Sequence, residues 1–171
     1  MKNVIIKTDR FILRSLTMAD VTEKYCSWLN DQAAKRYIEF AKKKNDLTML
    51  KTYIRDRINN DDILFLGIFT NSYEHIGNIK YEPVNIQESY AVIGILIGEP
   101  AWRSKGVAKE TILASAAFLN ENYSIKKIFW GVDRSNIAAV YAYSKVGFVE
   151  QQNPKILKKI TNNSLEMVLF L

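Results

Sequence analysis

The chain has 171 residues, 48% of them hydrophobic and 25% charged, with a formal net charge of +6. That length and balance suit one domain, residues 1–171, with its own hydrophobic core, and exclude a disordered or fibrous chain. Three prolines and seven glycines are too few for low-complexity linkers, and the excess positive charge is spread as scattered lysines, which reads as a solvated surface attractive to anionic ligands.

Residues 4–13 are β-branched and apolar enough for a first strand, with charges throughout the opening stretch and no h-region of a signal peptide. Thr17 with Asp20 three residues on predicts a helix start, and helical patterning continues through Tyr25, Trp28 and Leu29. A second helix is expected over residues 47–58, with Leu47, Leu50, Ile54 and Ile58 on one face, and the lysine-rich segment before it as an exposed loop. From Ile63 the pattern changes to strands: 63–70, 75–84 and 90–98, with turns at Asn71-Ser72 and over 83–89, forming an antiparallel meander. Glu99-Pro100 stops the third run. A helix then begins near Lys105 with Ala108, Ile112, Ala116 and Leu119 as its buried stripe. A strand over 125–132, a helix from Asn136 closed by Gly147, and one or two final strands including 165–170 complete a mixed α/β sheet with βαβ character in its second half.

No run approaches the roughly 20 apolar residues of a membrane span, so no membrane association is expected. The lone Cys26 reads as a buried structural residue in a reducing, cytoplasmic setting, and His75 as a surface residue at a strand end. No His, Cys, Asp and Glu cluster has metal spacing, so no metal is expected. No basic stripe is interleaved with aromatics, and nucleic acid is not expected as a partner.

Two segments carry chemistry. Arg103-Ser104-Lys105-Gly106-Val107-Ala108 lies between a strand end and a helix start. A glycine there lets a ligand approach the backbone, and the free amides of a first helical turn suit a pyrophosphate. An ordinary strand-to-helix turn accounts for the same residues equally well. In the second segment, Asn136, Ala139 or Val140, and Tyr143 share one helical face, where a tyrosine hydroxyl can meet a docked group. The other reading of Tyr143 is a buried aromatic with a satisfied hydroxyl.

The spacing Asn136, Ala139, Tyr143, Lys145 and Gly147-Phe148 resembles the N-x-x-A/S-x-x-x-Y-x-K-x-G-F signature of the GNAT superfamily of N-acetyltransferases, downstream of an R-x-x-G-x-A loop as in that superfamily. The opening Thr8-Asp9-Arg10-Phe11-Ile12-Leu13-Arg14 resembles the T-x-R-L-x-L-R start of its ribosomal-protein N-terminal branch. The resemblance implies the GNAT fold: a mixed, mostly antiparallel sheet splayed at its fourth strand, with helices on both faces. It implies acetyl-CoA as co-substrate, its pantetheine arm on Leu96, Ile97 and Gly98 and its pyrophosphate on the amides of Ser104 to Ala108. Arg103, Asn136, Ala139 and Lys145 would join that cofactor-binding set, and Tyr143 would protonate the departing thiolate. Many members carry a glutamate base within the fourth strand, where this chain has Val92, Ile93, Gly94 and Ile95. Glu82 and Glu99 are the candidate carboxylates nearby, with a water chain as the alternative. Tyr37 and Glu39 fall where the superfamily builds its acceptor site. The implied acceptor is a primary amine: a small amino sugar, free or nucleotide-linked, or a peptide N-terminus. A non-catalytic acyl-CoA-binding module is the reading from another class.

Overall fold

The stretch expected as one strand over residues 4–13 is a hairpin. In the computed structural model, which describes residues 3–37, 39–42, 46–151, 156 and 163–171, β1 (Ile5–Lys7) pairs antiparallel with β2 (Phe11–Ser15). The Thr8 hydroxyl oxygen accepts from the Phe11 amide at 3.0 Å, and the Thr8 amide donates to the Phe11 carbonyl at 2.9 Å, which closes the turn.

Thr17 and Asp20 were expected to start a helix, but they form a single 3-10 turn, Met18–Asp20. The Asp20 carboxylate accepts the Thr17 amide and hydroxyl, both at 2.8 Å, and the Arg14 guanidinium at 2.6 and 2.8 Å. The helix proper, α1 (Glu23–Asn30), starts after Thr22, whose side chain accepts from the Tyr25 amide. A short α2 (Gln32–Tyr37) and a 3-10 turn (Glu39–Lys42) occupy part of the expected loop, while Lys43 and Lys44 lie outside the described residues. The next helix, α3 (Leu47–Ile58), has the expected bounds because Asp46 caps it, accepting from the Met49 amide at 2.8 Å, and Leu50 and Ile54 are fully buried.

Burial alone would raise the Asp20 pKa, but the bonds from Arg14 and Thr17 outweigh it and hold the carboxyl below its usual range. A pKa lower in the folded than in the unfolded chain adds stability above the unfolded value, near 4, and that stability is lost as pH falls through the folded one. Asp20→Asn is therefore expected to lower the melting temperature near neutral pH, at a cost of about 1–3 kcal/mol. The gap to wild type should close on acidification below about pH 4, as read by thermal melts across pH.

The meander is as expected: β3 (Leu64–Thr70), β4 (His75–Asn85) and β5 (Tyr90–Ile97) are antiparallel neighbours. The strand β4 continues through Pro83 to Asn85 past a register shift between Tyr81 and Val84, so the turn is confined to residues 86–89. A crossover through α4 (Val107–Tyr123) leads to β6 (Lys127–Asp133), parallel to β5. Then α5 (Ile137–Val146), β7 (Val149–Glu150) and β8 (Ser164–Phe170) complete an eight-stranded sheet in the order β1-β2-β3-β4-β5-β6-β8-β7.

Helices cover both faces. On one, Val107, Ile112, Ala116 and Leu119 of α4 and Tyr143 of α5 pack on Phe11, Leu13, Ile79 and Ile93. On the other, Tyr25, Trp28, Leu29, Leu50 and Ile54 of α1 and α3 pack on Leu16, Ile63 and Phe65. The α4 stripe is wider than expected, since Thr111 and Ser115 are also buried. Their hydroxyls donate to the Val107 and Thr111 carbonyls at 2.9 and 2.6 Å, which satisfies them. Among the described residues no helix is long and apolar enough to cross a membrane.

The feature that makes a site is where strand pairing stops. The strands β5 and β6 are paired only from Tyr90 to Val92, against Lys127 to Phe129; beyond that β5 keeps β4 and β6 keeps β8. Phe129 of β6 spans Ala91 and Ile93, so one edge of β5 has no strand beside it from the Ile93 carbonyl onward. The Gly98 amide donates to the Ile76 carbonyl at 2.9 Å. In an antiparallel ladder alternate residues turn their backbone groups to the same neighbour, so Leu96 and Gly94 also face β4, and Ile93, Ile95 and Ile97 face the gap.

Candidate active site

The gap ends at the loop from Glu99 to Gly106. A 3-10 turn, Pro100–Trp102, leads to Ser104 at φ 60 and Gly106 at φ 76, two left-handed residues in succession around Lys105. Gly106 is the N-cap of α4 and no side chain caps it, so the first-turn amides from Val107 on are not closed off by a capping oxygen. A Cβ built on Gly106 would meet only Arg10 Nη2, at 3.5 Å, which leaves the approach to the helix end open. Val107 is buried and Ala108 half-buried against the α4 core, while Ser104 and Lys105 are exposed. These are the properties of an anion site at a helix N-terminus.

Two arginines build this loop. Arg103 does not reach out toward a ligand: its Nε donates to the Ile97 carbonyl and its Nη2 to the Gly98 carbonyl and Asp31, each at 3.1 Å. Leu96 faces β4 and the Ile97 and Gly98 carbonyls are held by Arg103. The Ile93 carbonyl, both backbone groups of Ile95 and the Ile97 amide thus remain for a guest strand-like chain in the gap, the Ile93 amide being held by Phe129. Arg10, which the opening motif supplied without a role, clamps the other side. Its Nη1 donates to the Lys105 carbonyl at 3.0 Å, and its Nε and amide donate to Glu110, at 2.7 and 3.0 Å. The Thr8 hydroxyl donates to the same carboxylate at 2.6 Å. Burial alone would raise the Glu110 pKa; the bonds from Thr8 and Arg10 outweigh it and keep the group ionised.

Tyr143 lies on the far side of the gap. Its ring stacks on Trp130 of β6, with centroids 3.3 Å apart and planes 4° off parallel, and Phe148 meets its edge at 5.0 Å. The residue is 3% exposed and its hydroxyl has no hydrogen-bond partner. Burial pushes its pKa well above the ordinary value, so the phenol keeps its proton until a negative charge develops beside it. Asn136 caps α5: its Oδ1 accepts from the Ala139 amide at 3.3 Å, so its side chain is engaged in ending the helix. Ala139 is half-buried beneath it, and Lys145 is exposed with its ammonium 5.2 Å from the Tyr141 ring centroid.

The candidate bases are engaged elsewhere. Glu82 accepts from Arg57 at 3.1 Å and from Lys80, and although burial would raise its pKa, these cations hold it below the carboxylate range. That makes it a weak proton acceptor. Glu99 accepts from the Trp28 indole at 2.9 Å and pairs with Lys24 at 3.2 Å. Tyr37 ends α2 and Glu39 starts the next turn, but their side chains lie outside the described residues. His75, expected at the surface, is half-buried in a ring of aromatics: stacked on Phe69 at 4.7 Å, with Trp28 at 5.0 Å and Tyr25 at 5.6 Å. Burial lowers its pKa more than the bonds to Asn78 and Gly77 raise it.

Residues 10–149 match the acetyltransferase (GNAT) domain family, a span that runs from the Arg10 clamp through the loop to Tyr143. The chain belongs to this family. Solved GNAT structures share its fold across nearly the whole length. A spermidine N-acetyltransferase from Vibrio cholerae, in complex with CoA and spermine, is 19% identical over 95% of this chain and 96% of its own, with a TM-score of 0.79. RimL, a ribosomal-protein alpha-N-acetyltransferase in complex with coenzyme A, is 12% identical over 98% of each chain, with a TM-score of 0.85. A microcin self-immunity acetyltransferase bound to acetyl-CoA and AMP is 15% identical over 96% of this chain and 94% of its own, with a TM-score of 0.81. The splayed sheet and helices on both faces are thus the GNAT architecture, as the sequence motifs implied. Among the described residues of this GNAT domain, no three His, Cys, Asp or Glu side chains gather as a metal site would require.

Proposed function

We propose that the chain transfers the acetyl group of acetyl-CoA directly to a primary amine. The observation that carries this reading is the buried Tyr143 hydroxyl, unpartnered beside a gap in which one edge of β5 is also unpartnered. The thioester arm fits there as an added strand, with the pyrophosphate on the amides following Gly106. A backbone amide facing the gap polarises the thioester carbonyl. The neutral amine forms the new C–N bond, the C–S bond breaks, and Tyr143 gives its proton to the sulfur; the proton shed by the amine makes good the loss. No covalent enzyme intermediate is needed. With Glu82 and Glu99 committed to cations and an indole, water carries the amine's proton to Tyr143.

For the acceptor we favour a small amino sugar, in keeping with the chain's positive charge and an anionic, nucleotide-linked form. A peptide N-terminus is the second reading, supported by the Thr8 to Arg14 motif. Mass spectrometry of a broad amine panel incubated with protein and acetyl-CoA tests the function. Stabilisation by CoA with no acetylated product would instead mark a non-catalytic acyl-CoA-binding module.

The Arg10 clamp gives a narrower expectation. Arg10→Ala frees both the Lys105 carbonyl and Glu110, so the KM for acetyl-CoA should rise about tenfold while kcat changes little, the loss of one charge-assisted anchor of the loop. Steady-state kinetics at saturating acceptor checks it, and Arg10→Lys should recover part of the loss.

A further inference from the structure

Besides Tyr143, one other buried side-chain atom among the described residues lacks a partner: Nδ2 of Asn78, a residue 4% exposed in the middle of β4. Which end of this amide is the orphan is decided by chemistry. The His75 Nε2 lies 3.0 Å from both the Gly77 carbonyl and the Asn78 side chain. A carbonyl only accepts, so Nε2 carries the proton, and the Asn78 atom beside it has to be the oxygen. The aromatic ring around His75 fixes that arrangement and leaves a pure donor, Nδ2, unspent. A buried donor without a partner costs about 1–3 kcal/mol, so its persistence calls for a partner from outside the chain.

The position says which partner. Asn78 is opposite Leu96 across β4 and β5, and Leu96 packs into the α1–α3 core. The Asn78 side chain is therefore on the sheet face away from Ile79, Ile95 and Tyr143. Diagonally beside it, Gly94 pairs with Lys80, and a Cβ on Gly94 would meet nothing within 4 Å. Open space thus lies over β5 on this face. Its polar border carries two cations and one carboxylate. Lys80 spends two of its three N–H groups on the Tyr53 hydroxyl and Glu82, and Glu82 receives both Lys80 and Arg57 on one oxygen, Oε2.

We propose that Asn78 is a specificity-determining residue that donates to an oxygen of the acceptor, so that the acceptor is a primary amine bearing a hydroxyl or carbonyl oxygen on the carbon next to the one that carries nitrogen. An amino sugar and a peptide N-terminus share this chemistry. A bare polyamine has no oxygen to accept from Asn78 Nδ2 and brings positive charge beside Lys80 and Arg57, whose one carboxylate partner here, Glu82, they already share. The inference rests on the amine-acetylating function proposed above.

The test compares wild type with Asn78→Leu at saturating acetyl-CoA, using two matched amine pairs: 2-aminocyclohexanol against cyclohexylamine, and alaninamide against isopropylamine, with spermidine alongside. The ratio of kcat/KM for the oxygen-bearing amine to that for its partner, compared between variant and wild type, cancels the amines' differing basicity. It should fall about tenfold or more in the variant for at least one pair, and the responding pair distinguishes the sugar from the peptide source. CoA affinity should stay the same, and the melting temperature should change little: removal of an unpaired buried donor offsets loss of the bond from His75, whose Nε2 keeps the Gly77 carbonyl. Asn78→Ala, which cannot clash, repeats the comparison if the leucine does not fold. An unchanged ratio in both pairs, with or without a drop in melting temperature, overturns the assignment and leaves Asn78 as a site of bound water. So does spermidine turnover equal to that of the best oxygen-bearing amine. If wild type acetylates none of these amines, the transferase reading falls, and the inference with it.

Discussion

Tyr143→Phe should lower turnover by roughly ten- to ten-thousand-fold, the range of a general acid or base, while acetyl-CoA affinity and melting temperature hold or the latter rises. The structure separates the two roles of this residue. The ring packs between Trp130 and Phe148, and phenylalanine retains both contacts. The hydroxyl makes no bond within the protein, so its loss removes a desolvated polar group and no interaction. A structural tyrosine with a bonded hydroxyl would behave in the opposite way, losing stability and keeping rate. Measuring kcat at saturating substrates together with a melt decides between them; wild-type turnover in the variant would leave Tyr143 as a packing residue.

Gly106→Val should weaken acetyl-CoA binding at least tenfold. At φ 76 the left-handed conformation costs an ordinary residue about 1–2 kcal/mol, more for a β-branched one. Relief of that strain would move the Lys105 carbonyl off Arg10 and turn the first amides of α4. If the backbone instead holds, the side chain projects into the open approach to those amides, where only Arg10 stands near. Either route damages the anion site, and the core of α4 below it, from Ile112 to Leu119, is untouched. Calorimetric titration of the folded variant with CoA checks the loss. Unchanged affinity would remove this loop from the site.

Local signals were legible in the sequence, and long-range ones were not. The helix at residues 47–58 was legible from its apolar period, its Asp46 cap emerging only in the structure, and Gly147 ends α5 in the left-handed conformation expected of it. The hairpin at Thr8 was missed because its turn is held in part by Glu110, a hundred positions along the chain, which no local pattern registers. The six-residue α2 is too short for a period to declare itself. Within the site, spacing placed Tyr143 and Gly106 correctly on their elements. It could not show that Arg103 turns inward to the Ile97 and Gly98 carbonyls, nor that Asn136 spends its oxygen as a cap. Asn78 carried no motif at all; its interest arises only from what surrounds it.

The point where β6 leaves β5 also predicts how the two edges of one strand exchange hydrogen with solvent. Amides of Gly94 and Leu96, turned to β4, are held by a ladder that opens only with the sheet, and should exchange slowly. Those of Ile95 and Ile97, turned to the gap, have no strand to close upon them and should exchange faster despite buried side chains nearby, whereas the Ile93 amide still bonds to β6 at Phe129. The strand would therefore carry an alternating protection pattern, fast and slow every other residue, along a stretch that elsewhere in the sheet is uniformly slow. A bound guest arm would erase the alternation, and truncating that arm would restore it from the end where contact is lost.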